Sequence, residues 1–354
     1  MTTSPDKLVV FVATPLEEEQ VERIRGVDRD RVEVIYEPDL LPPVRYIADH
    51  NGIGSFRLND EQVKRWRAHI ARADVTWDFP PDLPDGTSSL SVAPNLKWIQ
   101  TTSSGVGQRV QRLGLHETQL IITTARGIHA GPLAEFVFLA LLSQVKRLER
   151  LRSDQSRHRW ERFCGDTLEG KTLGIIGAGG IGRRVAAIGH CFGMKLVALS
   201  RPGARHTAQE LGVDDVFPAD KLHDMLADVD ALVLSVPMTD ETAGMIDREA
   251  LSRLRPGAIL INIARGGVIE EPALIDALRS GKIAFAALDV FAEEPLAPES
   301  PLWDFDNVLV SPHSASTVVQ ENARIADIFC HNLQCYLEGR RDAMRNVFDK
   351  TLLY

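Results

Sequence analysis

An apolar run from Thr172 to Ile176 leads directly into Gly177-Ala178-Gly179-Gly180-Ile181-Gly182 and then into a helical pattern, and no other stretch limits the fold as much. Strand, glycine turn and helix in that order form the first half of a dinucleotide-binding βαβ unit. Each glycine has its own task. Gly177 permits the tight turn, Gly179 lets backbone approach a pyrophosphate, and Gly182 lets the helix lie close to the sheet. The first helical N–H groups, from Gly180 and Ile181 onward, then face the anion. Ile181, Val185, Ala186 and Ile188 give the helix one apolar face before Gly193.

The next strand, Lys195 to Leu199, ends at the position that normally selects the cofactor. NAD-binding versions place Asp or Glu there to bond the ribose 2'-hydroxyl. Here the segment reads Ser200-Arg201-Pro202-Gly203-Ala204-Arg205-His206. A serine hydroxyl with the guanidiniums of Arg201 and Arg205 suits a 2'-phosphate, which a carboxylate would repel. NADP(H) is therefore the expected cofactor, with NAD(H) the alternative if both arginines are solvated loop charges.

The 354 residues, 44% hydrophobic and 25% charged, describe a soluble globular chain long enough for two domains. A net charge of -9 without a basic block argues against nucleic acid and acidic membranes as partners. The first residues lack a signal-peptide apolar core, and the most apolar helix, Leu133 to Val145, carries Glu135 and Gln144 and is too short to span a bilayer. Cys164, Cys191, Cys330 and Cys335 form no C-x-x-C pair and no metal spacing. Reduced thiols in the cytoplasm are the simplest account, with no metal site.

Strand-like runs alternate with helical patterns throughout, which predicts an α/β fold with mainly parallel sheets. Leu8 to Ala13, Val32 to Tyr36, Val75 to Trp77, Trp98 to Thr101 and Leu120 to Thr123 form a first series. Thr172 to Ile176, Lys195 to Leu199, Ala231 to Ser235, Ile259 to Asn262, Ala284 to Leu288 and Val308 to Val310 form a second, whose six strands suit one dinucleotide-binding domain. A long helix starts near Gly131-Pro132-Leu133, and a last one runs from about Thr317 to Leu337. Residues 37–58 are irregular, with Pro38, Pro42, Pro43, Gly52 and Gly54 around Arg45, Tyr46 and His50. Such a loop either covers a cleft or is a plain surface excursion.

Three polar residues follow late strands of the second series, where open α/β sheets place ligands. They are Arg265, Glu294 and His313. With a hydride carrier they supply what carbonyl reduction needs: a cation for a carboxylate, an acid for the new oxyanion, and a carboxylate that supports the acid.

The chain resembles the D-isomer-specific 2-hydroxyacid dehydrogenase family, which includes glyoxylate/hydroxypyruvate reductases. The matching words are Ala134-Glu135-Phe136, Gly177 to Gly182, Val236-Pro237-Met238-Thr239, Ala264-Arg265-Gly266-Gly267, Leu288-Asp289-Val290-Phe291 with Glu294-Pro295, and Pro312-His313. The resemblance makes Arg265 the carboxylate clamp and carbonyl polariser, His313 the general acid or base, and Glu294 its paired carboxylate. Asp289 corresponds to the residue that bonds the nicotinamide carboxamide, and Pro237 lies beside the cofactor. Backbone N–H groups near Ser104 and Gly105 correspond to those that receive the substrate carboxylate. Gly107 replaces an aspartate common in that word, and Arg126 replaces a small or apolar residue.

The resemblance further implies two Rossmann-like or flavodoxin-like domains with the active site in the cleft between them. Residues 1–128 with 325–354 would form the substrate-binding domain and 129–324 the NAD(P)-binding domain. It implies a homodimer with Leu133 to Phe163 as the arm; Trp160 either reaches the partner's site or is an ordinary interface or core aromatic. The expected reaction is NADPH-preferring reduction of small 2-oxo acids such as glyoxylate or hydroxypyruvate. Another D-2-hydroxyacid dehydrogenase, such as phosphoglycerate dehydrogenase, and a non-enzymatic dinucleotide-sensing corepressor are the alternatives. Formate dehydrogenase is opposed by Glu294, where that branch has glutamine. An added regulatory domain of the phosphoglycerate dehydrogenase kind is not expected after Tyr354.

Overall fold

The computed structural model describes residues 7–201, 203 and 206–353. They form two compact units, one running up to Ile128 and resuming at Thr317, the other spanning His129–Ser316.

The first unit holds a parallel sheet of β1 (Leu8–Val12), β2 (Val32–Ile35), β3 (Val75–Trp77), β4 (Trp98–Gln100) and β5 (Ile121–Thr123), in the order β2-β1-β3-β4-β5. This is the flavodoxin-like order, in which loops at the carboxyl ends of the strands form the ligand edge. The helix Asp60–Arg72 starts at a capping box between Asn59 and Gln62. The helix Glu321–Leu337 buries Ile325, Phe329 and Leu333, and the Phe329 ring sits 4.9 Å from Trp98 and 5.8 Å from Trp77. The expected domain boundary at 325 would therefore cut a helix whose apolar face completes this core. The observed division at Thr317 precedes it.

The second unit holds β6 (Thr172–Ile176), β7 (Lys195–Leu199), β8 (Asp215–Phe217), β9 (Ala231–Leu234), β10 (Ala258–Asn262), β11 (Ile283–Leu288) and β12 (Val308–Val310), all parallel, ordered β12-β11-β10-β9-β6-β7-β8. The strand order reverses beside β6, at the switch point where such sheets bind dinucleotides. Every residue of β6, β9 and β10 is buried, because helices cover both faces of the sheet. The helix Ala130–Val145 supplies Ala134, Val137, Phe138 and Leu141 to one of the two core layers. The series is seven strands, not six. The missed β8 has only three residues, none fully buried, so it lacks an apolar run.

Residues 37–58 include a short 3-10 turn at Pro38–Leu40 and are strongly bonded. The buried Asp49 carboxylate accepts from Arg45 Nε at 2.7 Å, Arg45 Nη2 at 2.9 Å, and the amides of Arg45, Asn51 and Gly52. His50 Nε2 lies 2.6 Å from Asn322 Oδ1, and Asn322 donates to Glu17. Among the described residues no helix is long and apolar enough to cross a membrane, and no group of His, Cys, Asp or Glu is arranged to hold a metal.

Candidate active site

The glycine turn is shaped by close approach. Gly177 has φ +102°, and a Cβ there would lie 2.6 Å from the carbonyl carbon of Ser235 in the loop after β9. A side chain on Gly182 would strike the Gly177 carbonyl, so the helix Gly180–Cys191 lies against the turn. Gly179 and Gly180 instead face open space. Both residues are exposed at the helix start, so a ligand can approach this backbone closely, and the residues present fit a dinucleotide pyrophosphate. Ile181 is half-buried behind them.

At the end of β7, Ser200 is buried and its N–H donates to the Phe217 carbonyl at 2.8 Å, while Arg201 is exposed. Arg205 lies outside the described residues. Pro237 follows β9, and its carbonyl accepts from Thr242 Oγ1 at 2.7 Å. This rim holds a hydroxyl and a guanidinium where the NAD pattern calls for a carboxylate.

Arg265, Glu294 and His313 follow β10, β11 and β12, three neighbours in the sheet. His313 sits in the left-handed region at φ +54°, uncommon for a residue with a side chain. Its N–H is shared between the carbonyls of Asp289 and Ser311, each 3.0 Å away. His313 Nδ1 lies 2.8 Å from Glu294 Oε2, and a carboxylate only accepts, so Nδ1 carries the proton and donates. Glu294 Oε1 accepts the Phe291 N–H at 3.0 Å, which fixes the carboxylate from its other side.

Asp289 is the buried post of this loop. Its Oδ1 accepts from Ser311 Oγ at 2.5 Å and from the amides of Ser314 and Ala315 at 2.9 Å each, so the turn carrying His313 is wrapped around one oxygen. Burial pushes the Asp289 carboxyl above its ordinary range, against the opposing effect of these donors and of His313.

Arg265 is half-buried and extended, and its Nη1 donates to the Ala264 carbonyl at 2.7 Å. Buried Asn262 secures the backbone on both sides, donating to the Arg265 carbonyl at 3.1 Å and accepting the Ala264 N–H at 3.0 Å. Gly266 is pressed against the Phe291-Ala292 backbone so closely that no Cβ fits. The turn bearing Arg265 thereby rests on the turn bearing Glu294. Asn262 and Ser311 were not singled out from sequence; each is a polar residue at or just after a strand end, three and two positions before Arg265 and His313, the available signal.

Ser104 and Gly105 belong to the first unit, beyond β4. The preceding residues are firmly held: Thr101 Oγ1 donates to the Ser103 carbonyl at 2.6 Å and Thr102 Oγ1 to Asp78 Oδ2 at 2.7 Å. Behind them Trp98 Nε1 donates to Thr123 Oγ1, which donates to Gln100 Oε1. Arg126 is exposed, and its carbonyl accepts from Asn346 Nδ2 at 2.8 Å. Trp160 is 98% exposed, so within the single chain it is not a core aromatic.

A family model described as the D-isomer specific 2-hydroxyacid dehydrogenase NAD binding domain matches residues 138–315. A glyoxylate reductase of Aeropyrum pernix is 36% identical over 264 residues, 71% of this chain and 76% of that protein. A D-3-phosphoglycerate dehydrogenase of Mycobacterium leprae is 35% identical over 71% of this chain, though this covers only 47% of that longer protein. A crystal structure of a D-isomer specific 2-hydroxyacid dehydrogenase from Xanthobacter autotrophicus Py2, in complex with NADPH and MES, superposes with a TM-score of 0.75 at 27% identity, covering 99% of this chain and 100% of that one. The glycine cradle, the parallel sheets and these similarities agree: the chain belongs to the D-isomer-specific 2-hydroxyacid dehydrogenase family of NAD(P)-dependent oxidoreductases that act on CH–OH groups.

Proposed function

We propose that this chain reduces small 2-oxo acids, such as glyoxylate or hydroxypyruvate, to D-2-hydroxy acids, with NADPH preferred over NADH. The observation that carries the reading is the His313–Glu294 pair, 2.8 Å across, on the same sheet edge as Arg265 and the glycine cradle. Bound nicotinamide supplies the hydride. Arg265 holds the substrate carboxylate and polarises its carbonyl with a planar two-pronged donor. His313, anchored through Nδ1, turns Nε2 to the developing alkoxide and delivers the proton; in oxidation it takes the proton back. Glu294 fixes the ring and offsets the imidazolium charge. In this reading the second unit binds the cofactor, with Asp289 and Pro237 at its nicotinamide end, while backbone N–H groups at Ser104 and Gly105 in the first unit receive the substrate carboxylate.

The NADPH preference rests on Ser200, Arg201 and Arg205 and on the lack of a carboxylate among them. The NADPH held by the Xanthobacter relative is in keeping with it. The assembly is a homodimer in this reading. The helix Leu148–Ser156 buries no residue in the single chain, and Trp160 with Leu139 and Leu151 stays exposed, as an arm waiting for a second copy would leave them. Four free cysteines suit the reducing cytoplasm.

A panel of 2-oxo acids, assayed with wild type and His313→Gln over a range of NADPH and NADH concentrations, tests the function. Wild type should turn over glyoxylate or hydroxypyruvate, with kcat/KM about tenfold or more higher for NADPH. His313→Gln should lose about 10² to 10⁴-fold in turnover while NADPH still binds. Near wild-type turnover in the variant removes His313 from the chemistry, and equal use of NADH removes the cofactor assignment. Binding of NADPH with no turnover on any acid would favour a dinucleotide sensor.

A further inference from the structure

Asn346–Leu353 is fastened to the first unit along its length. Val347 forms an antiparallel bridge with Thr123. The Phe348 N–H donates to the Ile122 carbonyl at 2.8 Å, and its ring is buried with Ile99, Val106 and Val110. Lys350 Nζ donates to the Thr118 carbonyl at 2.8 Å. Asp349 Oδ1 then accepts the amides of Thr351 at 2.8 Å and Leu352 at 3.0 Å, a tight turn that sends the chain back. The turn ends with the Leu353 carbonyl against Gly107, in space that any side chain at 107 would need. Leu353 joins the same apolar cluster and holds φ +59°, a backbone leucine adopts only where packing imposes it.

Gly107 opens the short helix Gly107–Arg112 directly after Ser104-Gly105-Val106. The first half of this loop is secured by side-chain bonds from Thr101 and Thr102. In its second half Val106 is buried in the cluster that Phe348 and Leu353 complete. We propose that residues 351–353 are a positioning strap for the substrate-carboxylate loop, clasped where Leu353 sits on Gly107. The inference rests on the reading that Ser104 and Gly105 receive that carboxylate. It also gives Gly107 a physical reason: an aspartate there would displace the strap.

Three chains test it: Gly107→Ala, a chain shortened to end at Lys350, and both changes together. Each single change should raise KM for glyoxylate on the order of tenfold, since sub-ångström misplacement of donors weakens their grip. The NADPH Kd should stay within about twofold. The combined chain should match the shortened one, because the added methyl has nothing left to push, a non-additivity that a merely local defect at Gly107 does not produce. Gly107→Ala costing as much in the shortened chain as in the full one overturns the clasp. If Gly107→Ala fails to fold, the shortened chain decides alone, since it adds no clash. Hydrogen exchange at the Val106 and Gly107 amides separates the two readings. Unchanged exchange on shortening refutes the strap; faster exchange with an unchanged KM keeps a strap but refutes the carboxylate role of the loop it holds.

Discussion

Comparison of Asp289→Ala with Asp289→Asn isolates the scaffold on which His313 depends. Three donors converge on Asp289 Oδ1, and the residue is only 2% exposed, so no water shell stands ready to replace the carboxylate. Hydrogen bonds to a charged acceptor contribute about 1.5 to 3 kcal/mol each; three that share one oxygen are less than additive, giving about 3 to 6 kcal/mol for the 311–315 turn. Alanine forfeits all of it and leaves the half-buried Ser311 hydroxyl and the amides of Ser314 and Ala315 without this acceptor. At about 1.4 kcal/mol per factor of ten, the population with His313 correctly placed falls by about 10² or more. Asparagine keeps a neutral acceptor at the same place, worth about 0.5 to 1.5 kcal/mol per bond, and carries no buried charge.

The expected result is a kcat for glyoxylate reduction within about tenfold of wild type for Asp289→Asn and lower by about 10² for Asp289→Ala, each measured at saturating NADPH. Stability adds an independent reading. Burial raises the Asp289 carboxyl above its ordinary range, so ionising it costs more in the fold than in the unfolded chain. The stability this gives is present below the ordinary carboxylate range and is lost as pH rises through the raised value. Asp289→Asn should therefore gain in melting temperature relative to wild type between about pH 4 and pH 7. Equal kcat for the two variants would refute the scaffold argument, and a melting difference that does not change with pH would refute the burial argument.

Arg265→Lys should raise KM for the 2-oxo acid and also lower kcat, because an ammonium offers a point charge where the guanidinium offers a planar fork; a variant impaired only in NADPH affinity would show the arginine serves the cofactor instead. Asp49 is held well below the ordinary carboxylate range, first by its bond to Arg45 and further by backbone amides, so its contribution is present above that range and fades as pH falls. Asp49→Asn should lose about 1 to 3 kcal/mol in denaturant unfolding near pH 7, with the gap from wild type closing below about pH 4. A gap that persists unchanged into acid would mean the carboxylate's charge is not what organises residues 37–58.

The strands were legible because both sheets are parallel and covered, which makes each strand a short continuous apolar run such as Leu173-Gly174-Ile175-Ile176. Asp215–Phe217 escaped because an edge strand of three half-exposed residues has no such run. The domain boundary near 325 erred for a related reason. Periodicity identified the helix through Leu337 but carried no information on which core its Phe329 face would complete; that depends on Trp77 and Trp98, more than two hundred residues earlier.

Site residues followed the same division between local and distant causes. Arg265, Glu294 and His313 stand out because they lie in the loops after late parallel strands, the edge where open α/β sheets place ligands. What makes their positions definite was hidden. Gly266 reads as half of a common Gly-Gly turn, yet it is the absence of a side chain there that lets two backbone turns meet face to face. Asp289 reads as a cofactor ligand through its family word, while its Oδ1 is taken up with the loop that presents His313. Gly107 reads as a departure from pattern until the chain's return past Leu353 occupies the space an aspartate would need. In each case the residue type is set by a neighbour 22 to 246 positions away, as in Asp289 to Ser311 and Gly107 to Leu353. A motif names the groups that do chemistry; the backbone approaches that aim them are settled only where distant turns meet.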